Sequence, residues 1–150
     1  MPAPKQLLKS LSPEYRERLL RVSREVSFPQ GHRIFEERGR ADRFWVLRSG
    51  SVTLDLRLPG DRTGSVAILD PGDLLGWSWL FPPYEWDFGA EAVSPVRAHE
   101  FLGSEVRELC DRDPAFGYLL MRLFAEILAN RLRLARSRAL DLYAPRAAGW

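Results

Sequence analysis

With one cysteine in 150 residues, Cys110, the chain cannot close an internal disulfide. That thiol lies between Leu109 and Asp111 with no histidine motif beside it, which reads as a buried, inert side chain. Histidine is scarce too. His32 and His99 are far apart in the chain, and although Glu100 adjoins one of them no ligand-spaced motif forms, so no metal or other cofactor is expected. An excess of one charge sign is also missing: Lys and Arg total 22 against 20 Asp and Glu, a formal net charge of +2, so composition does not call for a nucleic-acid partner. Lysine itself occurs only at Lys5 and Lys9. Every apolar run is broken by Arg, Asp or Pro before the roughly 18 to 20 residues that a membrane span needs. The opening MPAPKQLLKSLSPEYRERLL lacks the apolar core followed by small residues of a secretory signal. A cytoplasmic location without membrane contact is the expectation.

What is present suits a single domain over 1–150, with 45% of residues hydrophobic. Leu7, Leu8 and Leu11 precede Ser12 and Pro13, an N-cap and a first-turn proline, and Glu14 favours the same turn. Leu19, Leu20 and Val22 continue the apolar face, predicting N-terminal helices over about 5–22. After Phe28 the apolar segments are short and divided by turn residues at Gly31, Gly39, Ser49-Gly50, Pro59-Gly60-Asp61, Pro71-Gly72 and Pro82-Pro83. Val52, Leu54, Leu56 and Leu58 alternate with Ser51, Thr53, Asp55 and Arg57, predicting a strand with one buried and one wet face. Such strands, repeated over about 23–102, predict an antiparallel sandwich or small barrel.

Helices take over at about 103–143. Gly103 to Asp111 forms a short one; Asp113 and Pro114 then cap and start a helix reaching to about Tyr143, on the order of 45 Å at 1.5 Å per residue. At 100° steps Leu120, Leu123, Phe124, Ile127, Leu128, Leu134, Ala135 and Leu142 form one stripe. Its near half is expected on the β domain, and its far half needs a partner, a second copy being the simplest. Arg133 and Arg136 join Arg122 on the polar side while Arg131 and Arg138 fall near the stripe, so the four late arginines read as solvated or dimer-flanking.

The order FPQGHRIFEERGRADRFWVLRSGSV, VAILDPGDLLGWSWLF, AEAVSPVRAHEF and a helix ending ANRLRL resembles the cyclic nucleotide-binding domain family, from Phe28 to Leu134. That family includes the sensor half of the catabolite activator protein and the regulatory subunit of cyclic-AMP-dependent protein kinase. Ser49-Gly50-Ser51-Val52, and Leu69-Asp70-Pro71-Gly72-Asp73 followed by Gly76, are the most specific pieces. The resemblance implies a mainly β fold with flanking helices: a β-roll (a jelly-roll-like double-stranded barrel) plus a long C-terminal helix acting as lid and dimer helix. Members that are transcription factors carry a helix-turn-helix module after that helix. Only seven residues follow Tyr143, so no DNA-binding domain and no direct DNA contact are expected.

In nucleotide-binding members a glycine–glutamate pair follows the turn, and about ten residues later comes an arginine, then Ser or Thr and Ala. The arginine pairs with the cyclic phosphate and the glutamate accepts from the ribose 2′-hydroxyl. The family-aligned pocket here is Gly76, Trp77 and Ser78, then Phe88, Gly89 and Ala90. Trp77 stands at the glutamate position, Phe88 (Asp87 if the alignment slips by one) at the arginine, and Gly89 at the hydroxyl residue. Ala135 and Arg136 take helix positions where some members place hydroxyls on the purine. A charge-assisted hydrogen bond is worth about 1.5 to 3 kcal/mol, and an unpartnered buried anion costs about 3 to 5 kcal/mol. Two such losses outweigh most of the about 8 kcal/mol that holds a micromolar ligand.

These departures predict a stand-alone, non-catalytic sensor or regulatory domain that does not bind cyclic AMP or GMP in the usual mode, acting as a homodimer or through a protein partner. The alternative keeps nucleotide binding, using main-chain amides and a displaced arginine, Arg97 or Arg136. A cupin-like enzyme comes last. The loop itself carries Trp77, Trp79, Phe81, Tyr84, Trp86 and Phe88. These rings read as filling for the vacated pocket, as walls for an apolar or aromatic ligand, or as a protein-contact surface.

Overall fold

A computed structural model describes residues 6–148, so the expected helix start at Lys5 lies outside the described residues. After a 3-10 turn at Leu8–Ser10, α1 (Pro13–Leu20) begins at its cap, the Ser12 hydroxyl accepting from the Tyr15 amide at 3.2 Å. Eight strands follow: β1 (Ser23–Phe28), β2 (Arg33–Phe35), β3 (Arg43–Ser49), β4 (Val52–Leu58), β5 (Arg62–Leu69), β6 (Leu74–Leu75), β7 (Gly89–Ala92) and β8 (Val96–Leu102). All pair antiparallel, in two four-stranded sheets ordered β1-β8-β3-β6 and β2-β7-β4-β5. Then come α2 (Gly103–Arg112) and α3 (Pro114–Ala148). The Asp113 carboxylate accepts from the Phe116 amide at 3.2 Å and starts α3 as its sequence predicts, though the helix continues beyond Tyr143 to Ala148.

The layering follows from β3. Its central run is apolar on both sides of the pleat: Trp45 and Leu47 face the opposite sheet, while Phe44 and Val46 face the helices. Phe44 stacks on Phe101 with ring centroids 4.7 Å apart and meets Phe124 of α3 edge-on at 5.2 Å. Such ring pairs contribute about 0.5 to 1.5 kcal/mol each beyond the area they bury. Leu120, Leu123 and Ile127 of α3 complete this helix-side core.

The alternation predicted for β4 holds only in its first half. Val52 and Leu54 are buried, but the register against β5 shifts between Leu54 and Asp55, Leu58 is 42% exposed, and Asp55, expected on the wet face, is buried at 6% exposure. A bulge changes the facing of the strand, and an arginine partner described below makes burial of that carboxylate tolerable.

Beyond Ile127 the α3 stripe leaves the core: Leu134 and Leu142 are 46 and 72% exposed, and Leu132 and Leu140, which lie off the stripe, are 71 and 57% exposed. Two of the late arginines depart from the solvated or dimer-flanking reading. Arg131 donates to the Leu74 carbonyl and Arg138 to the Val66 carbonyl, fastening the helix to the sheets, whereas Arg133 and Arg136 are exposed. Among the described residues no helix is long and apolar enough to cross a membrane.

Candidate functional site

Gly76, Trp77, Ser78 and Phe88 converge on one cavity, joined by Phe35, Leu54, Trp86, Asp87 and, from α3, Arg131. Its volume is about 10 Å³, room for the centre of a single water. What occupies the space is Trp86, 5% exposed and stacked on Phe35 with centroids 3.9 Å apart and planes 12° apart. The Trp86 N–H donates to the Gly39 carbonyl at 2.9 Å, and its carbonyl accepts from the Arg38 N–H at 2.8 Å, so the ring enters from a fixed backbone. Gly76 is required against it: its φ is +96°, and a Cβ there would lie 3.0 Å from Trp86 Cζ3.

Behind this pair Trp45 stacks on Phe35 at 5.7 Å and is itself anchored, its Nε1 donating to Glu100 Oε2 at 3.0 Å. The buried Glu100 also accepts from Arg24 at 2.6 Å and Arg43 at 3.2 Å. The other loop rings part company with Trp86. Trp79 turns to the helix-side core, 1% exposed, whereas Phe81 and Tyr84 stay 50 and 41% exposed. The Arg107 guanidinium lies over both Trp79 and Tyr84, at 5.4 and 5.5 Å from their centroids.

Two charged groups reach the cavity. Asp87, on the exposed rim, accepts from the Ser78 hydroxyl at 3.1 Å. Arg131 comes from the other side; burial pushes its pKa down, with the charge of Asp73 opposing, and among the described residues no carboxylate pairs with it. Sequence reasoning placed Arg131 near the apolar stripe without seeing that this angle aims a cation at the pocket. It also treated Trp86 as one of six rings.

The remaining aligned residues lie elsewhere. Ala90 is fully buried in the inter-sheet core. Gly89 faces the opposite side of its strand, where a Cβ would overlap the Arg33 guanidinium and the Asp55 carboxylate. Those two meet in a bidentate pair, Nη1 to Oδ2 at 2.5 Å and Nη2 to Oδ1 at 3.0 Å. The hydrogen bond to Asp55, then that to Glu36, raises the Arg33 pKa. A larger cleft of about 210 Å³ opens there, lined by Arg33, Glu36, Glu37, Asp55, Arg57, Thr63 and Glu91; Arg33 pairs with Glu36, Asp55 and Glu91, and the Glu37 carboxylate accepts from the Arg57 backbone N–H at 2.8 Å. Arg97 is exposed on β8 between Val96 and Ala98, whose side chains enter the inter-sheet core, so the pleat turns Arg97 away from that core. Ala135 and Arg136 are exposed on α3 and do not line the cavity.

Gly89 is thus a packing position. Gly89→Ala should destabilise the fold by about 1 to 3 kcal/mol, the usual cost of overpacking, measured by urea denaturation; an unchanged midpoint would show that the Arg33–Asp55 pair does not close over it.

The family model for the cyclic nucleotide-binding domain matches residues 25–113. The chain is similar to a CRP-like cAMP-activated global transcriptional regulator from Mycobacterium tuberculosis, 31% identical over 117 residues, covering 78% of this chain and 50% of that protein. It therefore spans about half the length of the curated relatives it matches. Among solved structures, the catabolite activator protein of Thermus thermophilus superposes with a TM-score of 0.76 at 29% identity, over 92% of this chain and 62% of that one. A cyclic nucleotide-binding domain from Methylobacillus flagellatus shares the fold, with a TM-score of 0.81 at 17% identity over 91% of this chain and 77% of its own. Two antiparallel sheets, a long C-terminal helix and this match over more than half its length make the chain a member of the cyclic nucleotide-binding domain family.

Proposed function

We propose that this chain is a non-catalytic regulatory domain whose ligand pocket is filled by its own aromatic side chains, so that it does not take cyclic AMP or GMP in the family's usual mode. The observation that carries this reading is the Trp86 ring on Phe35, in a cavity with about 10 Å³ left over. Trp77 and Phe88 line the same cavity, and neither supplies the acceptor or the cation that the aligned positions hold in nucleotide-binding members. A second reading, nucleotide binding through a non-standard phosphate site, draws on Arg131; Arg97 and Arg136 do not line the cavity.

Regulation by such a domain needs something to act on. Leu134 and Leu142, exposed where the α3 stripe runs past the core, support a homodimer along that helix, because an apolar stripe left uncovered on a helix usually finds a partner. A cytoplasmic setting belongs to the same reading.

Calorimetry should give dissociation constants weaker than about 0.1 mM for cyclic AMP and cyclic GMP, leaving less than about 6 kcal/mol of binding free energy. A micromolar constant for either nucleotide would establish the second reading instead.

Sedimentation equilibrium should find a dimer that Leu134→Arg combined with Leu142→Arg converts to monomer. A monomeric parent chain at high micromolar concentration would remove α3 as the dimer helix.

A further inference from the structure

The Trp86 slot has the features of a ligand site apart from being occupied. Its walls are flat and apolar: Phe35 forms one face at 3.9 Å, and Gly39 and Gly76 both approach the ring, with Cβ positions 3.4 Å from Cδ1 and 3.0 Å from Cζ3. Removing the indole would open a cavity of about 150 Å³, the size that takes up benzene when its lining is apolar. At one side stands Arg131, a guanidinium carried into the protein with one carbonyl as its hydrogen-bond partner and, among the described residues, no carboxylate paired with it. Guanidinium offers five donors; one goes to the Leu74 carbonyl, and none of the others is a buried donor without a partner, so they stay open to solvent or to an incoming anion. Among the described residues Asp87 is the one acid lining the cavity; it is exposed on the rim and engaged by Ser78, where solvent screens it. Asp73, just before β6, is the other charge that Arg131 feels, but it does not line the cavity, so on that side the half-buried cation sets the sign of the charge that the slot favours.

We propose that this slot is a binding site for a planar aromatic ring bearing a carboxylate or similar anionic group, held closed by the chain's own indole, with Arg131 as the anion-binding residue. The inference rests on the filled-pocket reading and adds what the pocket accepts when the filling is absent. It gives Trp86 the role of an internal occupant: a ring ligand and the Trp86 side chain exclude each other. Arg131, being on α3, would make the bound anion felt by the helix that the dimer uses.

The test compares the parent chain with Trp86→Gly, titrated with indole-3-acetate, indole and tryptamine by calorimetry and followed by melting temperature. Trp86→Gly should melt lower than the parent and be restabilised by indole-3-acetate. It should bind indole-3-acetate at least about tenfold tighter than indole, the value of one charge-assisted hydrogen bond, and tryptamine no tighter than indole. Adding Arg131→Gln should abolish the advantage of the carboxylate, and Arg131→Lys should keep part of it. The parent chain should bind all three compounds far more weakly than Trp86→Gly. Equal affinity for indole and indole-3-acetate, an advantage that survives Arg131→Gln, or equal binding by the parent chain would overturn the proposal. So would a Trp86→Gly chain that stays unfolded in saturating indole-3-acetate. Cyclic AMP added to the parent chain separates the two levels: micromolar binding there refutes the filled-pocket reading, whereas a lost carboxylate preference in Trp86→Gly refutes this one alone.

Discussion

Where the two sheets meet α3, the indole of Trp86 lies against Phe35 at 3.9 Å, and the residues around it are those that permit a ring in that place. Gly76 has no Cβ because one would press on the six-membered ring, and Gly39 approaches the five-membered ring. Phe35 passes the stack on to Trp45, whose Nε1 is fixed by the buried, doubly arginine-paired Glu100. Phe28 meets Trp45 edge-on at 6.4 Å and stacks with His32 at 5.3 Å, so aromatic contacts run from the pocket to the turn after β1. A pocket built this way is rigid: moving the indole leaves an apolar void, and the large-to-small penalty for a buried tryptophan is about 3 to 5 kcal/mol.

The same economy of space governs the helix. The β1-β8-β3-β6 sheet is covered on both faces, by the second sheet and by α2 and α3, and the near half of α3 is seated by Leu120, Leu123, Phe124 and Ile127. Past that point apolar burial ends, and two arginines take over, reaching the carbonyls of Leu74 and Val66. Arg131 therefore has two tasks, seating the helix and presenting a cation to the cavity.

Much of the fold was legible because it is written in local chemistry. Ser12-Pro13 and Asp113-Pro114 are cap and first-turn pairs whose geometry does not depend on distant contacts, and both helices start there. Gly50, Gly72 and Gly76, the glycines of the most specific turns, all hold positive φ. The strands run from Ser23 to Leu102. What sequence pattern could not give were effects that join distant segments. The bulge in β4 and the burial of Asp55 depend on Arg33, 22 residues away along the chain. Period-two reasoning counts faces, but a buried ion pair overrides it. The aligned positions Gly89 and Ala90 fell outside the cavity because strand pleating sends neighbours to opposite faces, one against the Arg33–Asp55 pair and one into the core. Arg131 was ambiguous for the opposite reason: a helix angle shows which stripe a residue adjoins, and only packing decides whether its guanidinium turns to solvent or inward.

The central claim is that the pocket contains part of the chain itself. It is tested most directly by nuclear Overhauser contacts in protein refolded from denaturant, so that no carried ligand remains. The account predicts strong contacts from the Trp86 indole protons to the Phe35 ring and the Gly76 α protons in the absence of any added compound. Their absence, with the Trp86 ring open to solvent, would contradict it and leave an empty pocket in place of a filled one.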